Sequence, residues 1–201
     1  MSETRFGKEI RRLDRELRQL QAKVDVNPVF DYVERAEIAR RARAIVHEAA
    51  VISRSNPRDA GAQEIHYLAV ELFRSAVARA CPPAFWADYQ YLKEGNPASL
   101  ETAVRFLEAD PWFDRSGYIK ADLIRHISRI EIPQAIAERL RRVVLATVDR
   151  RDRREFRQYC RLARKVDLPE LREELSLRLQ QDDPAVRRRA RWVLNALERP
   201  G

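Results

Sequence analysis

Apolar residues recur along this chain at intervals of three and four, and nowhere do they alternate with polar ones over the length of a strand. That period is helical, so the expected fold class is all-α. Sparse glycines and prolines act as punctuation: Gly7, Pro28, Pro57, Gly61, Pro82-Pro83, Gly95 with Pro97, Pro111, Gly117, Pro133, Pro169, Pro184 and Pro200. They bound ten predicted helices, roughly 4–26, 28–54, 58–80, 83–94, 97–109, 117–130, 133–149, 152–166, 168–181 and 183–198, with ends good to ~2–4 residues. Asn27-Pro28, Asn96-Pro97 and Asp183-Pro184 each pair a capping side chain with a first-turn proline, and Ser116-Gly117 offers a serine cap.

The first helix places Phe6, Ile10, Leu13, Leu17, Leu20 and Val24 in a 4-3-4-3-4 rhythm among charged residues, a heptad seam. So short a seam is marginal as a free dimer, which favours packing on the second helix as a hairpin; a homodimer through residues 6–24 is the alternative. The next two helices carry the broad stripe of bundle members, so residues 1–80 are expected to form a helical hairpin or three-helix bundle. Residues 81–132 form an aromatic-rich, short-helix junction holding Phe85, Trp86, Tyr89, Tyr91, Phe106, Trp112, Phe113 and Tyr118. Aromatics at such a corner are expected to fill irregular core space, except Trp112 and Phe113, whose place after Asp110-Pro111 in a predicted loop makes them candidate contacts.

Charge is uneven. The whole chain carries a net +8. Between Pro133 and Gly201 stand 18 Arg and Lys against 11 Asp and Glu, whereas the rest of the chain nearly balances. A basic third of this kind points to an acidic partner, although genome-wide arginine enrichment would also produce it. No apolar run exceeds four residues, as at Tyr67 to Val70, and Met1 leads straight into charged residues. Neither a membrane span nor a secretory signal can be written, and the expected location is cytoplasmic. Cys81 and Cys160 read as reduced core residues.

Within that basic third, covering residues 133–201, the segment from Asp182 to Leu194 carries an Asp-Pro turn, then Val186-Arg187, then Ala190 four positions after the valine. Thirty residues upstream, Asp152 to Ala163 superposes on it, with Phe156 on Val186, Arg157 on Arg187, Cys160 on Ala190 and Arg161 on Arg191. The pattern resembles short HEAT-like helical repeats. It departs from them in the earlier copy, which lacks the proline, and no third copy is evident. The resemblance implies an α-solenoid-like C-terminal region, capped by the N-terminal bundle.

In both copies an arginine follows the core residue by one position, so Arg157/Arg161 and Arg187/Arg191 flank the buried stripe on one side. Arg150, Arg154, Arg157, Arg161 and Arg164 extend the first row at 4-3-4-3 spacing, on one helical face. Stacked repeats would set the two rows side by side, a surface suited to phosphates or carboxylates. The competing reading is a solvated face neutralised locally by carboxylates, but only Asp152 and Glu155 lie among the eight basic residues from Arg150 to Lys165.

No phosphate loop, GxSxG or HExxH is present, His47, His66 and His126 fall on three different helices, and no acid–base pair stands out. No metal, cofactor or catalytic residue is therefore expected. The leading expectation is a non-enzymatic helical-repeat adaptor whose basic C-terminal face docks an acidic partner, a nucleic-acid backbone or an acidic protein. Two alternatives stand beside it: a HEAT-like DNA-repair glycosylase using Trp112, Trp192 and Asp114, argued by analogy alone, and a structural oligomer formed through the first helix.

Overall fold

The computed structural model describes residues 5–26, 30–150 and 154–199. Among them it contains ten α-helices and no strand. They are α1 (Arg5–Val26), α2 (Tyr32–Ser55), α3 (Ala60–Ala78), α4 (Phe85–Lys93), α5 (Leu100–Ala109), α6 (Ser116–Ile127), α7 (Gln134–Asp149), α8 (Phe156–Lys165), α9 (Pro169–Arg178) and α10 (Pro184–Glu198), with a 3-10 turn at Pro97–Ser99. None of the described helices is long and apolar enough to cross a membrane. The helical period thus translates directly into helices, and most ends fall within two or three residues of the predicted ones.

Caps account for the ends. Asp31 accepts from the Glu34 amide, Asp59 from the Gly61 and Ala62 amides, and Asp183 from the Ala185 amide at 2.7 Å, each satisfying N–H groups that the first turn leaves open. Asn96 also caps as expected, though what it starts is the 3-10 turn that leads into α5. The Asn27-Pro28 cap lies outside the described residues, and α2 begins at Tyr32. Ser116 does not cap α6. Arg115 precedes that helix in the left-handed region, at φ 64°, and Ser116 is buried as its first residue. The Glu155 carboxylate lies against Gly117 in the first turn, where the positive end of the helix dipole favours an anion.

The chain forms two compact units, one comprising the residues up to Pro83 together with Asp110–Asp114, the other Ala84–Ala109 with the residues from Arg115 onward. In the first unit α2 and α3 form an antiparallel hairpin, and α1 packs on both. The heptad leucines Leu13, Leu17 and Leu20 are buried there against the alanine-rich interior of α2 (Ala36, Ala39, Ala42, Ala49) and α3 (Ala69, Ala76). These leucines are therefore covered within the chain, with Phe6 and Ile10 half-buried at the start of the seam, while the Val24 side chain lies outside the described ones. Arg35 is buried among these residues. Its guanidinium donates to the carbonyls of Leu20 at 2.9 Å and Arg79 at 3.2 Å, lies over the Phe30 ring, and is drawn below the usual arginine pKa by burial and by Arg79.

The segment Asp110–Asp114 completes this unit. Pro111 and Phe113 are buried, Trp112 lies outermost with the Arg40 guanidinium 5.2 Å from its ring centre, and Asp114 pairs with Arg43 at 2.7 Å. Two non-glycine residues in the left-handed region, Asp110 (φ 49°) and Arg115 (φ 64°), bracket it.

In the second unit α4, α5 and α6 pack together around Phe85 and Phe106, whose ring centres are 4.9 Å apart, while Trp86, Tyr91 and Tyr118 remain exposed. α5 also packs on α7, where Arg139 bridges Glu101 and Glu108 at 2.6 Å each. α7 packs on α8, α9 on α10, and α8 on α10. Leu140, Val144, Val148, Leu162, Leu175, Ala190 and Val193 fill the space between them.

Candidate anion-binding groove

α8 is short, and its apolar side is narrow: Phe156, Tyr159, Leu162 and Ala163 are buried. Arginines occupy the opposite side. Arg154, Arg157, Arg161 and Arg164 all border one open groove of about 540 Å³ between α8 and α10. From α10 come Trp192, Asn195 and Ala196, at the i, i+3, i+4 spacing of a single helical face, and from its C-cap Arg199. Phe156 and Cys160 also line it, and among the described residues no carboxylate does.

The partners of these guanidinium groups differ from those of several other arginines of the same unit. Arg139, Arg142, Arg172 and Arg178 each hold at least one carboxylate at 2.6–2.9 Å. In the groove, Arg161 meets only the Gln158 amide oxygen at 3.3 Å, and Arg164 the Arg199 carbonyl at 3.3 Å. Among the described residues no carboxylate lies within ion-pair distance of Arg154, Arg157, Arg161, Arg164 or Arg199. Four guanidinium groups along one side of an open groove, with Arg199 on the other, repel, and an anion among them would relieve that repulsion.

Trp192 supplies the aromatic wall. Its ring meets Phe156 edge-on at 5.8 Å, the Arg188 guanidinium lies 5.4 Å from its centre, and nearly half of the residue stays exposed. Cys160 is half-buried beside it, and burial pushes its thiol up to about 11, so it carries no thiolate near neutral pH.

The remaining residues singled out from the sequence lie elsewhere. Arg150 is the C-cap of α7. Arg187 folds back to donate to the carbonyls of Gln181 and Asp182, both at 2.7 Å, at the start of its own helix, and Arg191 is exposed outside the groove lining. Trp112 and Phe113 belong to the first unit, and burial of Phe113 takes its ring out of reach of any ligand. Asp114 is held by Arg43 in that same unit. Sequence reasoning passed over Asn195, Ala196 and Arg199, and took Trp192 only as a member of an analogy. The common face of Trp192, Asn195 and Ala196 is legible in the spacing, but which face of α10 meets α8 is not.

A second polar cluster lies among α4 and α6. Tyr89 donates to Asp122, which also holds Arg125 and stands 3.6 Å from His126 Nε2. Burial and the Asp122 hydrogen bond push the Tyr89 phenol up to about 12. Nδ1 of His126 is buried without a hydrogen-bond partner, and burial holds this imidazole below its ordinary pKa. The cavity beside Tyr89, lined also by Phe85, Asp88 and Leu92, is too tight to admit a water molecule. Among the described residues no group of histidine, cysteine, aspartate and glutamate has the arrangement to hold a metal ion. The chain matches no protein-family model, no curated protein and no solved structure.

Proposed function

We propose that this is a non-enzymatic, HEAT-like helical-repeat adaptor whose basic C-terminal groove docks an acidic partner. The observation that carries the reading is the set of five arginines that line one groove and, among the described residues, have no carboxylate within ion-pair distance. Guanidinium groups stay charged at any physiological pH and present paired donors to phosphate or carboxylate. The contacts of α7 with α8, α9 with α10 and α8 with α10 support the repeat reading.

The test is the binding of the full chain to inorganic polyphosphate and to a poly-glutamate peptide as salt is varied. With at most about five anionic contacts, the log–log slope for a single-stranded polyanion is expected near −3. Changing Arg157, Arg161 and Arg164 together to Glu abolishes binding of both probes if the groove is the docking face. Binding that ignores both salt and these changes refutes it.

A further inference from the structure

We infer that the acidic partner is a single-stranded nucleic acid, seated with its phosphates along the α8 arginines and a base against Trp192. This rests on the docking reading above and narrows it. The groove has two chemically distinct walls. On one side Arg154, Arg157, Arg161 and Arg164 follow the helix, and Arg157 to Arg164 alone span about 10 Å at the α-helical rise. Such a row suits a backbone of regularly spaced anions better than a single ion. On the other side stand the half-exposed Trp192 indole, with the Arg188 guanidinium over one face, and the Asn195 carboxamide, a flat apolar surface next to a hydrogen-bonding one.

Only one class of acidic polymer uses both walls. An acidic peptide satisfies the guanidinium groups but brings no planar ring to the indole. A duplex brings rings, but they are stacked on one another and present only edges in the grooves. Unpaired bases expose their faces, and stacking on an aromatic side chain tolerates any base. A groove of about 540 Å³ lies within the range of sites that enclose a ligand larger than a phosphate ion. The four groove cations on this side are all arginines, which also stack on bases through their planar guanidinium groups.

The experiment measures fluorescence anisotropy of the full chain with a labelled ten-nucleotide oligo-dT, an unlabelled duplex of equal length as competitor, and inorganic polyphosphate as an anion without bases. Trp192→Leu is expected to weaken oligo-dT about 10-fold or more, as loss of one stacked base does, while polyphosphate binding stays within about twofold. Arg157→Gln with Arg161→Gln weakens both ligands. Because Trp192 packs on Phe156, a second measurement covers a Trp192→Leu protein that fails to fold. In Trp86→Phe/Trp112→Phe protein, whose only indole is Trp192, oligo-dT quenches the emission and polyphosphate does not. Equal loss of both ligands on Trp192→Leu, absence of that quenching, or a duplex competing as well as the single strand overturns the inference and leaves anion docking standing. Indifference of both ligands to the arginine pair overturns docking itself.

Discussion

Arg189 is the last of three consecutive arginines, yet it is buried. Its Nε donates to the Val148 carbonyl at 2.6 Å, and a terminal nitrogen reaches the Arg150 carbonyl at 3.4 Å. Both carbonyls sit at the end of α7, where the helix leaves its last C=O groups without intrahelical donors and the dipole favours a cation. Changing Arg189 to Met keeps most of the aliphatic stem and removes the donors. The short charge-assisted bond contributes about 1.5–3 kcal/mol, and the cation at the helix end about 0.3–1 kcal/mol. Relief of guanidinium desolvation offsets part of this. A net loss of about 2 kcal/mol follows, which lowers the midpoint of thermal unfolding by about 4–8 °C in a chain of this size. Arg189→Ala loses more because the stem goes too, and Arg189→Lys less because one donor and the charge remain. Urea titration followed by circular dichroism reads all three. If Arg189→Met is as stable as the parent, the cost of burying the guanidinium cancels its bonds and the capping argument fails.

Two further outcomes follow from the local chemistry. Arg115 holds φ 64°, a region that costs a side-chain-bearing residue about 1–2 kcal/mol and glycine almost nothing; Arg115→Gly is therefore expected to raise stability by about 0.5–1 kcal/mol after its larger unfolded-state entropy is counted, and a loss in the same urea assay contradicts this. His126 is held below its ordinary pKa by burial, with Arg129, Lys93 and Arg125 opposing protonation and Asp122 favouring it. The unfolded chain then binds the proton more readily, so stability falls as pH drops below about 6.5, and His126→Gln flattens that part of a stability-against-pH curve; an unchanged slope assigns the dependence to another group.

Helix positions were legible because each rests on local chemistry: Asp183-Pro184 starts α10 as a cap and a first-turn proline should, and the leucines of α1 find their burial on α2 and α3. What escaped the sequence depends on partners distant in the chain. Arg187, Arg188 and Arg189 read alike until the end of α7 is placed beside one of them. The α8 row is visible as spacing, since four of its arginines share a helical face without reference to anything else. Its counterpart on α10 is a matter of how two helices meet, and there Arg187 is drawn to carbonyls of the turn before its own helix while Arg199, seven residues after Trp192, reaches the groove. The burial of Phe113 is not legible in the sequence, because an aromatic following a proline in a loop gives no sign of what will surround it.

The pentapeptide from Asp110 to Asp114 puts the chain's order of synthesis at odds with its division in space. A ribosome that has released the first three helices has not yet delivered the phenylalanine that fills their remaining gap, and must first make α4 and α5. Neither half can be cut out at one point, so grafting the unit that holds the arginine groove onto another scaffold calls for a new join between Ala109 and Arg115 in place of the pentapeptide.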